Sequence, residues 1–247
     1  MNLTQHGYGL SIVLPAYREE QALRIIIPSL KMELDRLATP WEILVVDADH
    51  AIDATAELCH EHAVRHLFRS GGNSYGDAIR TGFRECAGAY VIVMDADGSH
   101  RPADIQRLWA HREEVDLVIG SRYSPGGGTE NSAVLVFMSF LVNVMYRLAF
   151  RLSIRDVTNS FRLYQGDRVR ALKLESDNFE IVEEILIRLV FGSSRSSYLE
   201  VPVTFEKRKS GKSKRNLVLF AASYFESIWR LYGFRRRAIA EVRRKVD

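Results

Sequence analysis

Cysteine is nearly absent from this sequence. Cys59 and Cys86 are the two thiols of a 247-residue chain, far apart and without metal-ligand spacing. That excludes a disulfide-stapled fold and a cysteine-based metal site, and it fits a reducing compartment. With 47% hydrophobic and 26% charged residues, the sixteen glycines and six prolines are too few for a fibre or a disordered chain. The opening "MNLTQHGYGLSIVLPAY" has no basic region followed by an apolar core, which predicts no secretory leader. No glycine-rich turn follows the first apolar run. "LPAYREE" stands there instead, which argues against a dinucleotide-dependent oxidoreductase. No stretch reaches the roughly 20 clean apolar residues of a spanning helix. The length that remains suits one sizeable globular domain, with or without an extension.

The formal net charge of +3 conceals an asymmetry. From Lys207 onward 13 Lys or Arg face three Asp or Glu, whereas residues 1–206 carry 21 against 28. A basic end on an acidic body calls for an anionic partner, nucleic acid or a membrane surface.

The first half alternates two kinds of segment. "LSIVL" (10–14), "EILVVD" (42–47), "VRHLF" (64–68), "YVIVMD" (90–95) and "DLVIG" (116–120) read as strands. Helical patterns separate them at 19–37, 53–63, 74–86 and 102–114, with a kink or break expected at Pro28. Apolar strands alternating with helices predict an α/β fold, a mostly parallel sheet covered on both faces. Ligands of such sheets bind beyond the carboxyl ends of the strands, where Asp47 and Asp95 fall.

The second half is more apolar. "SAVLVFMSFLVNVMYRLAF" (132–150) carries one polar stripe of Ser139, Asn143, Arg147 and, just beyond, Arg151. "LVLFAASYFESIWRLYG" (217–233) repeats the design, with Ser223, Glu226, Ser227 and Arg230 on one face. "FRRR" (234–237) and "VRRK" (242–245) follow. Amphipathic apolar helices beside arginines favour a membrane surface over nucleic acid; the alternative is a pair of core helices with a solvated basic end.

"YVIVMDADGSH" (90–100) holds the sharpest chemistry. A D-x-D alone is often only a turn. At the end of a strand, residues i and i+2 point the same way, so Asp95 and Asp97 converge. Two such carboxylates repel unless a cation joins them. Hard oxygens suit Mg²⁺ or Mn²⁺, which bind through one or two carboxylates plus substrate phosphates. A phosphatase with an aspartate nucleophile is one reading, because "DADGS" resembles the D-x-D-G-T signature of the haloacid dehalogenase superfamily. That signature normally ends the first strand of its fold; here it ends the fourth. A nucleotide-sugar transferase is the other reading.

Seven segments, in order between about Leu10 and Asn216, resemble the inverting family 2 glycosyltransferases, in the branch of dolichol-phosphate mannosyltransferases and polyprenyl-phosphate glycosyltransferases. "LPAYREE" is similar to P-T-Y-N-E, and "VVD" (45–47) to the nucleotide-binding strand end. "GDAIRTGF" (76–83) resembles the G-x-A…G segment, "DADGSH" the D-A-D-L-S-H, and "GSRY" (120–123) the G-T-R-Y. "DVTNSFRLY" (156–164) resembles D-L-T-G-S-F-R-L-Y, and "RKSGKSK" (208–214) matches R-x-x-G-x-S-K. The chain departs from the family at "DADHAIDAT" (47–55), which replaces D-D-x-S-x-D-x-T, and at Leu135, where the branch usually has an arginine four residues before Ser139.

The resemblance implies an A-type glycosyltransferase fold over 1–215, with an amphipathic basic helical extension at 216–247. It implies that Pro15, Tyr17, Glu19 and Asp47 surround the nucleotide, with Lys214 on its phosphates. Asp95 and Asp97 would bind Mg²⁺ or Mn²⁺, with Ser99 adding a ligand. Asp97, Arg122 and Arg208 would serve catalysis, and Ser139, Arg162, Glu184 and Lys212 the acceptor. The expected donor is GDP-mannose, or else UDP-glucose or a UDP-N-acetylhexosamine. The expected acceptor is polyprenyl or dolichyl phosphate. Because many relatives carry further transmembrane helices, this shorter chain is expected to be peripheral on the cytoplasmic face, with a possible membrane-protein partner. A hydroxyl acceptor, and a nucleotide-sugar-binding scaffold without turnover, are the alternatives.

Overall fold

A computed structural model describes residues 7–192, 196–208 and 217–244. The first half contains β1 (Tyr8–Pro15), α1 (Glu20–Asp35), β2 (Trp41–Asp47), α2 (Thr55–Glu61), β3 (Arg65–Phe68), α3 (Tyr75–Glu85) and β4 (Gly88–Val93). A 3₁₀ turn (Pro102–Asp104) then leads into α4 (Ile105–Ala110) and β5 (Leu117–Ser121). Each expected strand is present within two residues at either end. Helix α4 is shorter than its pattern, because hydrogen-bonded turns carry residues 111–114. Helix α1 runs through Pro28 unbroken. That proline is exposed, so water can satisfy the carbonyl its missing N–H leaves free.

The second half contributes β6 (Gly128–Thr129), α5 (Ala133–Phe150), β7 (Arg162–Gln165), α6 (Gly166–Arg170), α7 (Ile181–Phe191), β8 (Tyr198–Pro202), β9 (Thr204–Phe205) and α8 (Leu217–Arg244). The main sheet has the order β3-β2-β1-β4-β7-β5-β8. Every pairing is parallel except those of β7, which runs antiparallel between β4 and β5. Two reversals leave β5 parallel to β4, so the carboxyl ends of β1, β2, β4, β5 and β8 open on one edge. The start of β7 lies on that edge too.

Alternation along the strands sorts side chains onto two cores. Ile12 and Leu14 pack with Leu23, Ile27 and Leu108 under α1, α2 and α4. Val13, Val91 and Val93 pack with Phe83, Phe150, Ile185 and Leu231 under α3, α5, α7 and α8. Gly82 sits where α3 crosses β1, and a Cβ there would stand 2.3 Å from Val13 Cγ1. We expect Gly82→Ala to cost about 1–3 kcal/mol of stability, read as a lowered midpoint in urea with unchanged slope.

The two apolar helices dock in opposite senses. In α8, Tyr224, Ser227 and Leu231 are buried, and the Ser227 hydroxyl accepts a hydrogen bond from Tyr146 at 3.1 Å. In α5 the first part of the polar stripe turns inward: Asn143 is buried and its Oδ1 accepts from the Val157 amide at 2.8 Å, while Arg147 and Arg151 stay exposed. Val134, Phe137, Phe140, Leu141 and Leu148 are left exposed. By length and composition alone Ala133–Phe150 is long and apolar enough to cross a membrane, and 22% of it is buried. Its inner face, with Val142, Tyr146 and Phe150, is part of the domain core, so α5 lies along the domain.

Candidate active site

The open edge is built from strand ends. After β4 the chain turns through Gly98, whose φ of +82° suits glycine. This folds Ser99 back on Asp97, whose Oδ1 accepts from the Ser99 amide at 3.0 Å and its hydroxyl at 2.5 Å. Asp97 Oδ2 faces Arg208 Nε at 2.9 Å. Asp95 Oδ1 accepts from the hydroxyls of Tyr75 at 3.1 Å and Ser160 at 3.0 Å. Burial, and then the charge of Asp95, push the Tyr75 phenol well above its ordinary value, so it stays a donor to Asp95. Tyr75 is itself stacked on Phe179, 4.6 Å between ring centres.

His100 closes this turn. Its imidazole bonds the Asp95 amide and Asn159 Oδ1, and it stacks on Phe161. Among the described residues no cluster of three or more His, Cys, Asp or Glu is arranged around a metal position. The pair Asp95 and Asp97 nevertheless fits a hard divalent ion: both offer carboxylate oxygens, one already faces a cation, and substrate phosphates would complete the set.

A second cation stands on the same edge. Arg122, just past β5, is held by Asp156 through Nε at 2.8 Å, Nη2 at 2.7 Å and its own amide at 2.9 Å. Its Nη2 also donates to Thr158 at 2.6 Å and Ser139 at 3.1 Å. Burial opposes both charges, but mutual attraction wins: the Arg122 guanidinium rises above its ordinary value and the Asp156 carboxyl falls below its own. Asp95 is near enough to add to the rise. The Phe205 ring lies against both Arg122 and His100. The acidic pair and this arginine therefore share one site.

At the ends of β1 and β2 stand Pro15 and Tyr17, then Glu19 and Asp47. Pro15 and Asp47 are buried and Tyr17 is exposed. Asp47 accepts from the Ala48 amide at 2.8 Å and lies 3.2 Å from His66 Nε2. Buried Arg69 ties this corner together, donating to Asp47 O, Ala16 O, Asn73 O and Ser74 O, with Tyr17 beside its guanidinium. Desolvation lowers its pKa from the usual arginine value, against the pull of Asp47 and Asp77. Sequence reasoning missed Arg69, Asp156, Thr158, Ser160 and Tyr75. The signal for three of them was the polar first half of "DVTNSFRLY", which had to be a loop on the open edge.

Two residues expected at the acceptor are deep. Arg162 is fully buried and donates to the carbonyls of Val182 at 2.9 Å and Val157 at 2.6 Å. Glu184 is fully buried, accepting from the Glu175 and Ser176 amides and from Arg188 at 2.7 Å. Burial raises the Glu184 carboxyl, but those hydrogen bonds and Arg188 outweigh it and hold it below the usual range. Lys212 and Lys214 lie outside the described residues.

Glu183, beside Glu184, is different. Both its oxygens are buried without a hydrogen-bond partner, and burial, only partly opposed by Arg162, pushes its pKa up to about 8. A carboxyl raised above its unfolded value stabilises fully at low pH and loses that contribution as pH rises toward the folded value. We expect stability to fall by up to about 1.4 kcal/mol per pH unit between pH 5 and 8 from this group. Glu183→Gln should flatten that slope in denaturant titrations at the two pH values.

The model of the family described as Glycosyl transferase family 2 matches residues 11–170. An undecaprenyl-phosphate mannosyltransferase of Micrococcus luteus is 34% identical over 82% of this chain and 85% of its own. A dolichol-phosphate mannosyltransferase of Pyrococcus furiosus is 30% identical over 90% of this chain, which spans 63% of that longer protein. Among solved structures, the glucosyl-3-phosphoglycerate synthase of Mycobacterium tuberculosis with Mn²⁺, UDP-glucose and phosphoglyceric acid superposes with a TM-score of 0.71 at 17% identity, over 92% of this chain and 80% of that one. The same protein has been solved with Mg²⁺ and UDP.

Proposed function

Because the chain belongs to glycosyl transferase family 2 and is a glycosyltransferase similar to dolichol-phosphate mannosyltransferases, we propose that it transfers a hexose, mannose first, from a nucleoside-diphosphate sugar to a polyprenyl or dolichyl phosphate. GDP-mannose is the preferred donor and UDP-glucose the second. The observation that carries this reading is the gathering, on one sheet edge, of the Asp95–Asp97 couple and two arginines, Arg208 paired with Asp97 and Arg122 held by Asp156.

In the transfer a phosphate oxygen of the acceptor attacks the anomeric carbon in line. The bond from that carbon to the diphosphate breaks, the nucleoside diphosphate departs, and the configuration inverts. A lipid phosphate is already anionic at neutral pH, so no general base is needed. The obstacle is repulsion, several kcal/mol for charges roughly 5 Å apart at an effective dielectric near 20. Asp95 and Asp97, with Ser99 behind Asp97, would hold a Mg²⁺ or Mn²⁺ whose charge neutralises the donor diphosphate. Arg122, fixed by Asp156, binds the acceptor phosphate with Ser139 beside it. Arg208 leaves Asp97 and takes up the diphosphate, joined by Lys214, with Lys212 on the acceptor. The Asp47, Tyr17, Pro15 and Glu19 corner receives the nucleoside, and Arg162 and Glu184 brace the acceptor side from below.

The exposed apolar face of α5 supports work at a membrane surface, and the reading places the protein on the cytoplasmic face, where nucleotide sugars and anionic headgroups meet. The test is incubation with labelled nucleotide sugars, Mn²⁺ and polyprenyl phosphate. Label should enter the organic phase; label confined to water-soluble products would overturn the lipid-phosphate acceptor.

A further inference from the structure

Where α5 ends, it forms a groove with the middle of α8, with a volume of 460 Å³. Arg151, Arg235 and Arg236 line it together with Tyr232, Leu148 and Ile239, and among the described residues no carboxylate does. Arg235 is fixed there: it donates to the Ala149 carbonyl at 3.1 Å and its guanidinium covers Phe191. Its Nε is buried without a hydrogen-bond partner. Arg151 and Arg236 are exposed, and neither forms an ion pair with any described residue. Ser139 of the transfer site lies nine residues before Leu148 on α5, roughly 13 Å along the helix.

We propose that this groove binds the phosphate headgroup of an anionic phospholipid, separately from the transfer site. Three guanidinium groups without a carboxylate select an anion, and arginine suits phosphate oxygens in particular. The flanks select an amphiphile over a free ion. Val134, Phe137, Leu141 and Leu148 are exposed at helical spacing and lead along α5 to the groove. On α8, Trp229 is 84% exposed and shares a face with Tyr232, Arg236 and Ile239. Tryptophan and tyrosine flanking a cationic patch are the side chains that settle at headgroup level. The acyl chains lie along the α5 stripe while the phosphate sits among the arginines, fixing how the domain rests on the bilayer. The proposal does not depend on the donor or acceptor assigned above.

The full chain is tested by co-sedimentation with phosphatidylcholine vesicles with and without phosphatidylglycerol, and by the blue shift of tryptophan emission on binding. Arg151→Gln/Arg236→Gln should weaken binding to the phosphatidylglycerol vesicles roughly 30-fold, at about fivefold per arginine. Arg237→Gln/Arg244→Gln removes the same charge from exposed positions outside the groove and should cost far less. Thermal melting checks that each variant is folded, and transfer to detergent-dispersed acceptor should be unchanged in the groove variant. Short-chain soluble phosphatidylglycerol should compete with the vesicles, whereas inorganic phosphate should not. Equal losses in the two double variants would reduce the groove to diffuse charge attraction and overturn the proposal. Competition by inorganic phosphate as effective as that of the short-chain lipid would overturn the lipid as occupant.

Discussion

Asp97→Asn lowers the rate of Mn²⁺-dependent sugar transfer by about 10³-fold or more, on the scale set by removing one charged group that stabilises a transition state. The substitution is nearly isosteric. Its carbonyl oxygen can still accept the Ser99 amide and hydroxyl that define the turn, so the fold survives and the melting temperature should move by only a few degrees. What vanishes is the negative charge facing Arg208 at 2.9 Å. That charge is the seat for a cation whether the cation is a guanidinium or a divalent ion. Mn²⁺ affinity, measured by calorimetry without any sugar acceptor, should fall alongside the rate. Asp95 has Tyr75 and Ser160 hydroxyls committed to one of its oxygens, so Asp95→Asn should also disturb the loop before β7. The clean loss belongs to Asp97. Undiminished transfer by a well-folded Asp97→Asn protein would remove the acidic couple from the chemistry.

The strands of the first half were legible because each is buried on both faces and therefore reads as an unbroken apolar run. The same physics made β7 illegible. It carries Arg162, a residue whose type points to the surface, yet the side chain is fully buried and bonded to two carbonyls. No local pattern announces a buried arginine whose partners are contributed by α7 and the preceding loop. For α5 the polar stripe was readable but its direction was not. Ser139 and Asn143 turn toward the domain because Arg122 and the Val157 amide wait there, and both partners are set by tertiary structure. The amphipathic pattern at 216–247 pointed to a helical extension, and α8 continues through Gly233 to Arg244. Phe234 under the Arg188 guanidinium and the partly buried Arg235 offset the roughly 1 kcal/mol that an interior glycine costs. At the site, the acidic pair at the tip of β4 was visible because a strand end fixes where two side chains point. Asp156 was not, because its meaning lies in a partner, Arg122, just past β5 and 34 residues away.

Asp156→Ala is the substitution with the largest expected effect on the fold. The Arg122 side chain is 8% exposed and the Asp156 carboxylate is not exposed at all, so removing the acid strands a buried guanidinium. Breaking such a pair costs about 3–5 kcal/mol, and for a chain of this size the melting temperature should drop by roughly 10 °C. Transfer should fall as well, since Arg122 is then free to leave Ser139 and Thr158, and the loss should show mainly as a raised KM for the acceptor phosphate. Stability and chemistry can be separated. Replacing both partners with apolar residues, Asp156→Leu/Arg122→Met, removes the stranded charge, and such swaps are often neutral or stabilising. The double variant should therefore recover most of the lost melting temperature while its transfer stays low. A double variant that regains both would mean that Arg122 is a structural cation with no part in holding the acceptor.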